Sequence, residues 1–462
     1  MSVLIRGGTI VNEDGSSRAD IRVRGGIIGE VASYIAPAAG ERIIDAGGCL
    51  VMPGGIDPHT HLDYPFMATR TADDFFSGTS AALAGGTTAI LDFIFPENGQ
   101  PLRDACVEWH RRARPSVADY GFHIAVTRWD DQTESELRDL VDREGITSFK
   151  HFMAYKGGTM VGDDVLIKSF ALAAKLGVLC LVHAENGDLV HYLQQKFVAE
   201  GKLGPEFHPL SRPPEVEGEA VNRAICIAEA VGARLYVVHN SCIPAIEALR
   251  RGQMRGVDVT GEALACHLAI SDEVYRDCDW VFAAAHVMSP PFRPPEHQEA
   301  LWAALASGVI KTTGTDHAGF RAEDRLLGRS KFTDIPNGTG SIEDRLHVLW
   351  HLGVNSGRLT PEQFVRVTSS AAARAFGLYP KKGLLAEGGD ADIIIWDPAG
   401  ERTIRAADQH QRTDFNLFEG MRVRGINRMT ISRGDVVFEE GELSAREGRG
   451  EYLPRSANPR AA

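Results

Sequence analysis

Residues 148–183 read SFKHFMAYKGGTMVGDDVLIKSFALAAKLGVLCLVH, and this stretch decides the fold. Two short apolar runs, 148–152 and 178–183, have the length of buried strands, and the segment between them, 163–175, has helical periodicity. Strand, helix, strand in that order is the repeating unit of a parallel sheet, because a helical crossover carries the chain back before the next strand begins.

The same alternation extends in both directions, from 54 to 378. Strands are expected at 54–59, 87–93, 121–126, 148–152, 178–183, 235–239, 256–260 and 311–316. Helices are expected in the gaps, at 73–84, 103–114, 134–144, 163–175, 217–231, 243–251 and 297–307, with two more at 342–354 and 360–376. Thr360-Pro361 supplies a capping hydroxyl before a proline and so marks a helix start. Eight such strands close a barrel, so the expected class is α/β, a (β/α)8 TIM-like barrel. Outside it the texture changes to short β-branched runs broken by Gly and Asp, at 3–5, 9–11, 20–23 and 27–31, and again at 391–396, 428–432 and 435–439. The two chain ends are expected to share one small β-sandwich. The division is then 1–53 and 379–445 for the sandwich, 54–378 for the barrel, and 446–462 for a tail rich in Arg, Glu, Gly and Pro.

The 462 residues are 44% hydrophobic and 24% charged, enough apolar material for a large core. A formal net charge of −13 argues against a phosphate-binding surface, and the run Arg111, Arg112, Arg114 beside Glu108 reads as a solvated helix face. Seven cysteines, odd in number and without a C-x-x-C pair, read as reduced thiols. The first residues, 1–8, lack the apolar core of a signal peptide, and no apolar run approaches the roughly 20 residues that span a bilayer. The expectation is a soluble cytoplasmic protein that binds neither nucleic acid nor membrane.

Polar residues stand at the C-terminal ends of the expected strands, where a barrel of this kind builds its active site. His59 and His61 lie two apart, so on an extended backbone both imidazoles face one side. Alone, such a pair is commonly just a polar loop. Lys150 sits between aromatic residues, where an ammonium ion is costly to bury without a partner. As a neutral amine it can add carbon dioxide, giving a carbamate able to bridge two metal ions; a snorkelling or ion-paired lysine fits the same run equally well. His183 and His239 each follow an apolar run, and Asp316, otherwise a helix cap, ends the eighth strand. Together these six residues offer the donors that Zn²⁺ and similar ions take.

The chain resembles the cyclic-amide hydrolases of the dihydropyrimidinase and hydantoinase family. The resemblance rests on Asp57-Pro58-His59-Thr60-His61, the run from Ala72 to Thr79, Gly85-Gly86-Thr87-Thr88, and Phe149-Lys150 with Phe152-Met153-Ala154-Tyr155-Lys156. It continues through Val182-His183-Ala184-Glu185-Asn186, Ser289-Pro290-Pro291, Ile335-Pro336-Asn337-Gly338 and Phe376-Gly377-Leu378-Tyr379-Pro380. It implies two divalent ions per chain, zinc by preference with manganese or cobalt as alternatives. His59 and His61 would hold the first, His183 and His239 the second, and a CO2-derived carbamate on Lys150 would bridge them. Asp316 would bind the first and handle protons, Tyr155 would stabilise the developing oxyanion, and Tyr155, Ser289 and Asn337 would contact the substrate ring. The substrate implied is a small cyclic amide, and the assembly a homotetramer.

Other readings are weighed by single residues. Dihydroorotase-like relatives carry an arginine two residues after the second histidine; here Asp63 stands there, which favours a neutral ring. Allantoinase-like hydrolysis shares the metal set. The non-catalytic, scaffold-forming relatives have lost metal ligands that this chain keeps. Departures from the family occur at Asn240, at Ala263-Leu264-Ala265-Cys266-His267 and at Ala318-Gly319. The apolar residues Leu62, Tyr64, Phe66 and Met67, with Phe152, Tyr155 and Thr159, are expected to wall a pocket for an apolar ring substituent, or else the loop packs at a subunit contact.

Overall fold

A computed structural model describes residues 2–457. Among them, eight parallel strands form one sheet in sequence order: β1 (Gly55–Thr60), β2 (Thr87–Ile94), β3 (Asp119–Ala125), β4 (Ser148–Phe152), β5 (Leu179–His183), β6 (Arg234–Val237), β7 (Val259–Leu264) and β8 (Ile310–Gly314). The sheet curls until its first and last strands meet. Thr60 bridges to His317 in parallel, and the His61 amide donates to the His317 carbonyl at 2.9 Å. The fold is the (β/α)8 barrel expected from the alternation of runs.

The longer helices are α1 (Phe75–Ala84), α2 (Leu102–Ala113), α3 (Asp131–Asp139), α4 (Asp163–Leu176), α5 (Gly187–Ala199), α6 (Pro214–Val231), α7 (Ile243–Met254) and α8 (Pro295–Ser307). Helix α4 shows how local chemistry sets these bounds. Asp163 and Asp164 occupy its first turn and Lys175 its last, each matching the sign of the helix dipole. Gly177, at φ 69°, takes the left-handed conformation that ends the helix. Leu166, Phe170 and Ala173 face the barrel, and every residue of the following β5 is buried, as a parallel strand covered on both faces must be.

Four elements differ from the sequence-based expectation. Strand β7 starts and ends later than 256–260, because the chain turns at Gly256 and pairing continues through Gly261 and Glu262 to Leu264. Helix α5 was not expected; only Gly187 and Val190 of it are buried, so it lacks a wide apolar stripe. The expected helices at 342–354 and 360–376 each contain a π-helical turn, Trp350–Val354 and Arg366–Ser370. Thr360 and Gln363 cap the latter reciprocally.

The seven-stranded sheet beside the barrel joins both chain ends. Leu50–Pro53 pairs antiparallel with Ile393–Thr403, with Val51 opposite Ile395. A four-stranded sheet of Ser2–Arg6, Asp20–Arg24, Ile27–Ala32 and Arg42–Asp45 packs against it through Ile5, Ile21, Ile28, Val51, Ile393 and Ile431. Each such buried side chain contributes about 1.5–3 kcal/mol relative to exposure.

The segment expected to be a tail is docked for much of its length. The Tyr120 amide donates to the Glu451 carbonyl at 2.9 Å, and the Leu453 amide returns a bond to Tyr120 at 2.7 Å. Arg455, 3% exposed, donates to Ser148 Oγ at 3.0 Å and to the Phe122 carbonyl. Its charge hid this in the sequence. Residues 458–462, and Met1 in the expected leader-free start, lie outside the described residues. Among the described residues no helix is long and apolar enough to cross a membrane.

Candidate active site

The C-terminal ends of β1 and β8 are laced together by Asp57, which is fully buried. Its carboxylate accepts from the amides of His59 at 3.1 Å and Thr315 at 3.2 Å, and from the Thr315 hydroxyl at 2.6 Å. That lacing sets Asp316 opposite both histidines, with Oδ1 3.1 Å from His59 Nε2 and 2.9 Å from His61 Nε2. Burial would raise the Asp316 pKa, but the two imidazoles outweigh it and hold the carboxyl well below the usual carboxylate range. Burial likewise opposes the charge on His59, yet Asp316 and Glu262 lift it to about 9. His61 goes the other way, to about 4, because desolvation dominates.

Lys150 occupies the middle of β4 and is 1% exposed. Its Nζ lies 4.8 Å and 4.9 Å from the ring centroids of Phe93 and Phe152. Among the described residues it has no hydrogen bond or ion pair, and burial brings it down to about 8, against the opposing pull of Asp316 and Glu262. His183 closes β5 and His239 follows β6, their ring centroids 4.5 Å apart; His239 is 5.4 Å from His59. All six residues line one cavity. His59, His239 and Asp316 present ligand atoms within 4.8 Å of one another. The donor set fits divalent cations, since four imidazoles, a carboxylate and a buried amine converge, and His61 Nδ1 is buried without a hydrogen-bond partner.

Backbone conformation marks the same place. Tyr155 (φ 68°), His239 (φ 40°) and Asp316 (φ 52°) are non-glycine residues in the left-handed region. Such strain is held only where surrounding structure over-determines it, and it clusters at sites that act on ligands.

Two carboxylates orient the imidazoles and were not anticipated from the sequence. Glu262, inside β7, lies 2.8 Å from His59 Nδ1 and accepts from the His239 amide at 3.0 Å and the Tyr236 hydroxyl at 2.7 Å. Glu185 accepts from His183 Nε2 at 2.6 Å and from Arg212 at 2.5 Å. Burial works against the Glu185 charge, but Arg212 and His183 outweigh it and hold the carboxyl at about 2. With these partners His59 turns Nε2, and His183 turns Nδ1, toward the cavity. A lone glutamate in an apolar run, as Glu262 is, was the available signal.

The wall opposite is aromatic: Tyr64, Phe66, Phe95, Phe152, Tyr155 and Phe320 line it, with Thr159. Tyr155 packs 5.1 Å from the His183 ring, and burial raises its phenol, so it stays a proton donor. Ser289 and Asn337 line the cavity too, with Ser289 Oγ buried beside the Tyr155 hydroxyl. Part of the expected pocket wall lies elsewhere. Leu62 is fully buried in the core, and Met67 stands on the outer rim. Asp63 is not among the lining residues; it pairs with Arg70 at 2.6 Å and Arg112 at 3.9 Å, so its charge does not face the ring as the sequence argument assumed. Of the departures, Asn240 is spent on the carbonyls of Val237 and Glu262, both at 2.9 Å, and His267 on Pro290 at 2.9 Å; Ala318 alone lines the cavity.

Residues 50–437 match the amidohydrolase family. The chain is 46% identical over 459 residues to a dihydropyrimidinase of Rattus norvegicus, covering 98% of this chain and 88% of that protein. It is 44% identical over 458 residues to a D-hydantoinase of Geobacillus stearothermophilus, covering 99% and 97%. The crystal structure of a dihydropyrimidinase from Brevibacillus agri superposes with a TM-score of 0.97 at 42% identity, over 99% of each chain.

Proposed function

The chain belongs to the amidohydrolase family, in its dihydropyrimidinase and hydantoinase branch, and from that membership we propose that its cavity opens the ring of a hydantoin, dihydropyrimidine or related cyclic ureide or imide. It is a metal-dependent cyclic amidohydrolase that cleaves a ring C–N bond; the ring-opened product would be an N-carbamoyl amino acid or its analogue. The observation that carries the reading is the meeting of His59, His61, Lys150, His183, His239 and Asp316 in one cavity.

His59, His61, His183, His239, Asp316 and a CO2-derived carbamate on Lys150 would hold two divalent ions, zinc by preference with manganese or cobalt as alternatives, which supply a polarised carbonyl and water acidified to near-neutral pKa. Glu262 keeps the proton on His59 Nδ1 and Glu185 keeps it on His183 Nε2, so each ring offers its other nitrogen to the cavity. Tyr155 donates its hydroxyl to the carbonyl oxygen as charge develops there, in a pocket whose aromatic wall excludes water. Asp316 takes the proton released in the attack and gives it to the leaving ring nitrogen, because an amide anion is too poor a leaving group to depart unprotonated. Ser289 and Asn337 line the cavity, where they would hydrogen-bond the ring.

Apart from Lys150, no lysine or arginine lines this cavity among the described residues, which favours a neutral ring over an acidic one of the dihydroorotate kind. Metal content and turnover of dihydrouracil, a 5-aryl hydantoin and dihydroorotate, measured on one sample, test the reading. About two ions per chain are expected in this cavity, with the aryl hydantoin turned over fastest. A chain without bound metal and inert on all three would be a scaffold instead. A homotetramer belongs to the same reading and is checked by mass in solution.

A further inference from the structure

A second cluster of metal-ligating side chains lies at the far end of the barrel from the cavity. Cys106 and His110 sit one turn apart on the same face of α2. Glu144 ends the π-helical turn Leu140–Glu144 that continues α3. Cys106 Sγ, a His110 ring nitrogen and a Glu144 carboxylate oxygen all lie within 4.8 Å of one another. The buried His110 Nε2 faces Glu144 Oε2 at 3.5 Å. That separation is long for a hydrogen bond, but it is close to the ~3.3 Å between two ligands on a tetrahedral zinc with bonds of about 2.0–2.1 Å. Tyr452 of the C-terminal segment covers the cluster, its ring 4.6 Å from His110 and its hydroxyl bonded to the Glu144 carbonyl at 2.7 Å.

We propose that Cys106, His110 and Glu144 form a three-ligand zinc site, separate from the cavity, that pins α2 to the turn after α3 beneath the C-terminal segment. Thiolate, imidazole and carboxylate together select a borderline cation such as Zn²⁺ over Mg²⁺ or Ca²⁺. Water fills the fourth position from the side on which Glu144 is 42% exposed. On binding, the S–H bond breaks, the proton goes to solvent and a Zn–S bond forms, with no change in oxidation state.

Cobalt replacement in the intact protein tests this independently of turnover. None of the ligands proposed for the cavity is a sulfur, so a near-ultraviolet thiolate-to-cobalt charge-transfer band reports this site. The band is expected in the wild type and lost in both Cys106→Ser and His110→Gln. The zinc content of Cys106→Ser should fall by one ion per chain, with turnover unchanged. A cobalt-loaded wild type without the band, a band that survives both substitutions, or an unchanged zinc content in Cys106→Ser would overturn the site. An inert cavity in a protein that still shows the band would sink the hydrolase reading and leave this one standing.

Discussion

Lys150 lies between two aromatic faces with no carboxylate bonded to it, so its amine is available to a small electrophile. Lys150→Ala is expected to abolish turnover and cavity-bound metal together, with partial rescue of both by a short carboxylic acid that fits the vacated space. Full activity in that variant would remove the carbamate from the mechanism. Tyr155→Phe deletes one hydroxyl from the lining and is expected to lower kcat about 10²–10³-fold with little change in KM, the loss typical of one oxyanion donor. The split between kcat and KM distinguishes this from a mere packing role. At this scale much of the site was readable from sequence: imidazoles and a carboxylate directly after apolar runs are conspicuous. Glu262 was not, because its partners His59, His239 and Tyr236 come from other strands and only the closed barrel brings them together.

Elements were readable where burial is one-sided in sequence terms. Strand β5 is an unbroken apolar run ending in a histidine, and α4 carries acidic and basic residues at opposite ends. Strand β7 was displaced because Gly261 and Glu262 interrupt its apolar character while their backbones keep pairing with β8. Asp63 was misjudged for a related reason: sequence distance gives no sign that Arg70 and Arg112 draw its carboxylate away from the cavity. Close approach between elements yields a further prediction. Gly85 ends α1 at an ordinary φ of −77°, but a Cβ there would stand 2.4 Å from the Glu343 carbonyl oxygen. Gly85→Ala is therefore expected to destabilise the fold by about 1–3 kcal/mol through overpacking alone. Comparing its denaturation with that of the wild type checks the figure; equal stability would mean that the 343 backbone yields freely.

For the molecule as a whole, the last described residues act as a strut under the barrel. A chain ending at 449 would leave the Tyr120 amide and carbonyl unpaired and uncover Leu453's site, so its thermal midpoint should fall by several degrees. Each unpaired buried backbone group costs about 1–3 kcal/mol. An unchanged midpoint would show that the strut is ornamental. The pairing of Leu50–Pro53 with Ile393–Thr403 has a kinetic side as well. During synthesis, the first of these strands waits for some 340 further residues, a delay of roughly 17–70 s at about 5–20 residues per second. For that interval its partner edge stays open while barrel units can already assemble behind it. An unpaired edge of that kind is a template for pairing with another chain, so the nascent protein is open to association until the second strand arrives.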